Sequence, residues 1–146
     1  MLAKKITYPN FEGEMVTETF YFNLTRAEIA EMEMNHPGGY SKYLEQIIDS
    51  KDTNEIMKLL TQLILDSYGE KTPDGRYFEK SKQISDRFHT SEAYSVLLMS
   101  MLENADFAAE FINGIVPDAG VDESQKQKII DDTKKRIEEK KQQGVE

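Results

Sequence analysis

The stretch Thr17-Glu18-Thr19-Phe20-Tyr21-Phe22-Asn23-Leu24-Thr25-Arg26-Ala27-Glu28 carries the two signals on which the fold turns. Its first eight residues alternate polar and apolar, the period of a strand with one covered face, here Phe20, Phe22 and Leu24. Its last four form a capping box. The Thr25 hydroxyl and the Glu28 carboxylate can each satisfy a backbone N–H left free at a helix start. A strand therefore runs straight into a helix.

Upstream, Lys5-Ile6-Thr7-Tyr8 offers Ile6 and Tyr8 as a partner strand. Parity selects the turn between the two. A two-residue Glu12-Gly13 loop pairs Tyr8 with Thr17 and sets Ile6 on the face away from Phe20. A three-residue loop, Phe11-Glu12-Gly13, pairs Tyr8 with Val16 and gathers the apolar residues on one side. It also places Asn10 first in a type I turn and Gly13 at the left-handed bulge position, where each is favoured. A β-hairpin over residues 4–24 is the expectation.

Downstream the pattern is helical. The helix begun at Thr25 should stop before Pro37-Gly38-Gly39. Tyr40, Tyr43, Leu44, Ile47 and Ile48 then follow the i, i+3, i+4, i+7, i+8 rule of an amphipathic helix. Asp52-Thr53-Asn54-Glu55 caps a third, in which Ile56, Met57, Leu59, Leu60, Leu63, Ile64, Leu65 and Tyr68 cover nearly the whole circumference, the pattern of a central helix. Gly69 ends it, and Thr72-Pro73-Asp74-Gly75 is a turn. Ile84 and Phe88 belong to a short helix. Ser91 caps one carrying Tyr94, Leu97, Leu98, Met101 and Leu102. Asn104-Ala105-Asp106 opens another with Phe107, Phe111, Ile112 and Ile115, closed by Gly114 and Pro117. The fold class is mainly α (α+β): an N-terminal hairpin followed by a compact bundle of about six helices. Residues 1–120 form the single globular domain, and 121–146 a charged, solvated C-terminal helix anchored only by Ile129, Ile130 and Ile137.

The 146 residues suffice for one domain that folds without crosslinks. Cysteine is absent, which removes disulfides, thiolate nucleophiles and zinc–thiolate sites. No apolar run approaches the roughly 18 residues of a membrane span. The formal charge of −9 lies wholly in residues 1–121, because the seven basic and seven acidic residues from Asp122 onward cancel. Such a body repels phosphate backbones and anionic headgroups, so neither nucleic acid nor membrane is an expected partner.

Chemistry-bearing motifs are missing. His36 and His89 are the only histidines, without the spacing of a metal site. No phosphate-cradling glycine loop and no G-x-S-x-G elbow occurs. No catalytic residue, metal or cofactor is expected, and the protein reads as a non-enzymatic binder. Of the seven methionines, Met57 and Met101 suit a core, whereas Met99 lies off the Tyr94/Leu98/Met101 stripe. Val96 and Met99 are the candidate partner-binding positions, spare apolar residues on a helix whose core face is already supplied.

Several stretches in succession resemble one family. They are Phe20 through Glu28, then Ser67-Tyr68-Gly69-Glu70-Lys71-Thr72-Pro73-Asp74-Gly75-Arg76-Tyr77-Phe78, Ser91-Glu92-Ala93-Tyr94, and Phe111-Ile112-Asn113-Gly114-Ile115-Val116-Pro117. In this order and spacing they are similar to tail assembly chaperones of long-tailed bacteriophages infecting Gram-positive bacteria, over roughly residues 5–117. The resemblance implies binding to the tape measure protein, a very long, aggregation-prone helical protein, with tail tube protein as a further candidate contact. The chaperone would act in the bacterial host cytoplasm, during infection or from a prophage, and be absent from the mature virion. Genes of the family commonly also yield a longer frameshifted product. The alternatives are a structural tail component of the virion, and an acidic DNA mimic that inhibits a host protein. A DNA mimic needs carboxylates at regular phosphate-like spacing; here they are scattered among lysines.

Overall fold

The computed structural model describes residues 1–35, 38, 53–115, and 131, 134, 135, 137 and 138. The chain opens with β1 (Leu2–Pro9) and β2 (Met15–Phe22), an antiparallel hairpin in the register that parity selects, with Tyr8 opposite Val16 and Leu2 opposite Phe22. Asn10 ties its turn. Its carbonyl accepts from Gly13 N–H at 3.0 Å, and its N–H donates to Glu14 O at 2.8 Å. Its Oδ1 accepts from the N–H groups of Glu12 and Glu14 at 3.0 and 2.9 Å. Gly13 sits at φ +85°, the left-handed bulge that a side chain would disfavour.

From Phe22 the chain passes through Asn23 and Leu24 into α1 (Arg26–Met34). The capping box forms in both directions: Thr25 N–H donates to Glu28 Oε1 at 3.0 Å and Glu28 N–H to Thr25 Oγ1 at 3.1 Å. Next among the described elements comes α2 (Thr53–Ser67), which leads without a loop into β3 (Tyr68–Lys71). A turn at 72–77 returns the chain as β4 (Phe78–Glu79). The helices α3 (Lys82–His89), α4 (Glu92–Glu103) and α5 (Ala105–Ile115) follow. Ser81, Ser91 and Asn104 cap them, each accepting a first-turn N–H on its side-chain oxygen.

The architecture is α+β with more sheet than the sequence pattern announces. The strands form one antiparallel sheet in the order β1-β2-β3-β4, because Tyr21 and Phe22 of β2 pair with Gly69 and Tyr68. Tyr68 therefore starts a strand rather than ending the preceding helix. Gly69 does not act as a helix stop. A Cβ there would lie 2.6 Å from the Phe78 ring and 2.8 Å from Glu79 O, so it lets β4 approach. The expected helix count of about six is not what the described residues carry, which is five helices and four strands. The predicted helix around Tyr40–Ile48 lies outside those residues.

The core lies between the sheet's inner face and the helices. Phe22 and Phe111 meet edge to face at 5.1 Å, and Tyr68 stacks on Phe88 at 4.1 Å. Phe20 and Tyr94 flank this aromatic centre. Along α2, Leu59, Leu60, Leu63, Ile64 and Ser67 are buried, while Asn54, Lys58 and Gln62 are exposed. One stripe of it faces the core, and Met57 and Leu65 are half-buried at its edges. In the tail, residues 131, 134, 135, 137 and 138 are helical; 131, 135 and 138 are exposed, and Ile137, one of the three expected anchors, is 1% exposed and joins the core. Ile129 and Ile130 lie outside the described residues.

Candidate partner-binding surface

A polar junction lies beside the start of α1. Lys80, just after β4, donates to Asn23 O and to Glu28 Oε2, each at 2.6 Å. Burial alone would raise the Glu28 carboxyl. Hydrogen bonds from Lys80 and Thr25, with the lysine charge, outweigh it and hold the group below its ordinary range. Asp66, which accepts from Gln62 Nε2 at 2.7 Å, goes the other way: burial pushes it up. Both line or adjoin a cleft of about 320 Å³ that also includes Tyr68, Lys82 and Ser85. Burial raises the Tyr68 hydroxyl to about 12. Lys82 pairs with Asp86, and the Ser81 hydroxyl caps α3. The Lys80 bonds to Asn23 and Glu28 make this place a structural joint tying α1 to the end of β4.

His89 ends α3 with an exposed ring set edge-on to Tyr94 at 4.9 Å. Its neighbour Asp86 is engaged by Lys82 instead. His36 lies outside the described residues. Among the described residues no three His, Asp or Glu side chains are grouped to hold a metal ion, and no helix is long and apolar enough to cross a membrane.

The two candidate positions share the outward side of α4 but differ in access. Ala93, Tyr94, Leu97 and Met101 form its buried stripe. Met99 points away from that stripe and is 53% exposed. Val96 is half-buried against the core edge, and half-buried Leu102 lies on the far side of Met99. Exposed Glu92 and Glu103 bound this face at the two ends of the helix. The methionines divide as their spacing predicts, with Met101 fully buried and Met57 packed at the core margin.

A second apolar exposure was not read from the sequence. Phe11, placed in the hairpin turn for its parity, is 89% exposed, and Met15 next to it is 64% exposed. The signal was available, since a phenylalanine in a turn has no inward direction. Periodicity counts only residues inside strands and helices and passes over it.

A sequence model described as phage tail assembly chaperone matches residues 1–146, and the chain belongs to that family. No curated protein and no solved structure gives a match.

Proposed function

We propose that this chain is a non-enzymatic chaperone that binds the tape measure protein of its phage and keeps it soluble while the tail tube assembles. The observation that carries the reading is family membership across the whole length of the chain. An isolated tape measure protein, read as a very long helical chain, exposes apolar stripes that favour self-association. The α4 face around Met99 and Val96 suits the cover of such a stripe, and the acidic body keeps the complex dispersed. Tail tube protein is a second contact in the same assembly. The site of action is the cytoplasm of a bacterial host, Gram-positive by the sequence resemblance, and the chain is left out of the mature virion.

Co-expression with the tape measure protein of the same phage tests this directly. The soluble fraction of that protein should rise, and the two should co-purify. Met99→Asp should weaken co-purification with an unchanged melting curve, because the side chain is exposed. Equal solubility of the tape measure protein with and without this chain would sink the reading, as would stoichiometric recovery of the chain from purified virions.

A further inference from the structure

The far end of the first hairpin is the most exposed apolar place on the described molecule. Pro9 and Met15 are cross-strand partners, so their side chains share the outward face of the sheet, and both are exposed. Phe11 stands above them in the turn at 89% exposure. Single exposed apolar residues are ordinary; a group of them on one end of a sheet is not.

This end is also held in shape. The hydrogen bonds made by Asn10 fix the turn from which Phe11 projects. An aromatic anchor presented on an ordered turn loses little entropy on contact. The hairpin itself carries charge of one sign: from residue 6 to residue 25 the chain holds Glu12, Glu14 and Glu18 and no lysine or arginine. Among the described residues neither Glu12 nor Glu14 makes an ion pair.

We propose that this end of the sheet, centred on Phe11 and Met15, docks an amphipathic helix of the client whose apolar stripe is bordered by lysines or arginines. The identity of the client rests on the chaperone reading above; the surface and the charge rule do not. The glutamates select the basic border, and the aromatic anchor takes the stripe. A second copy of this chain fits poorly, because a two-fold contact would bring the same glutamates face to face.

The test uses the full chain and, as probe, labelled overlapping peptides of about 30 residues spanning the tape measure protein, read by fluorescence anisotropy. Peptides with a Lys/Arg-bordered apolar stripe should bind the wild type. Phe11→Ser with Met15→Ser should weaken them at least tenfold with an unchanged melting temperature, since both side chains are exposed. Glu12→Lys with Glu14→Lys should weaken binding comparably. It should also remove the loss that raising salt from about 50 to about 500 mM causes in the wild type. If the serine pair binds as the wild type does, the docking site is elsewhere while the chaperone reading stands. If no peptide and no intact tape measure protein binds the wild type, both fall. Self-association of the wild type that the serine pair abolishes would make the occupant a second copy and overturn the proposal.

Discussion

Single residues set most of the stability and its pH dependence. Leu60 and Ile64 are 1% and 0% exposed, so Leu60→Ala or Ile64→Ala should each cost about 2–5 kcal/mol in urea unfolding. A change below about 1 kcal/mol at both would contradict the packing. The two carboxyls near Lys80 act with opposite sign. Glu28 is held below its ordinary value in the fold, so its contribution is present above about pH 4.3 and is lost as pH falls through its folded value. Glu28→Gln should flatten the acid side of the stability profile. Burial raises Asp66, so its ionised form opposes folding near neutrality, and the cost fades as protonation proceeds. Asp66→Asn should stabilise the protein at pH 7, with the gain shrinking toward about pH 4. Paired melts of both variants from pH 3 to pH 8 would show two slopes of opposite sense. Parallel profiles would refute the assignment. At this scale the sequence was read well where chemistry is local: the Thr25–Glu28 box, the Ser91 and Asn104 caps and the Asn10–Gly13 turn all form. The Lys80 joint was illegible, because Lys80 and Glu28 are 52 residues apart and nothing local pairs them.

Elements were legible in proportion to how far their own residues decide them. The first hairpin has eight residues on each strand and a parity argument, and its register is as read. The second is four residues against two, too short to show a period. Tyr68 continues the apolar pattern of α2, and only pairing with Phe22 makes it a strand. The fullness of α2 misled in a similar way, since half-buried Met57 and Leu65 count as apolar in sequence yet sit at the margin of the core. The tail carries the sharpest test. Ile137 is 1% exposed, whereas the Lys134–Asp106 pair beside it is 36% and 79% exposed. Ile137→Ala in the full chain should therefore cost about 2–4 kcal/mol, as a core truncation does, and Asp106→Ala should lie within about 0.5 kcal/mol of wild type. Equal effects in chemical unfolding would mean that charge, not burial, holds the tail.

At the scale of the whole molecule, fold and role were legible by different routes. Patterning gave the α+β class and the chain order of the described helices, and the succession of Phe20–Glu28, Ser67–Phe78, Ser91–Tyr94 and Phe111–Pro117 gave the family. The exposed end of the sheet escaped both, since it depends on which way a turn faces once the sheet is assembled. That assembly joins distant parts of the chain. Phe22 touches Phe111 at 5.1 Å, and Leu24 N–H donates to Ile115 O at 3.1 Å. A growing polypeptide leaves the ribosome amino end first, so the hairpin emerges with its apolar face bare and is fully covered only once α5 has followed. Through most of its own synthesis, the chain carries a sheet whose inner face is still open to water.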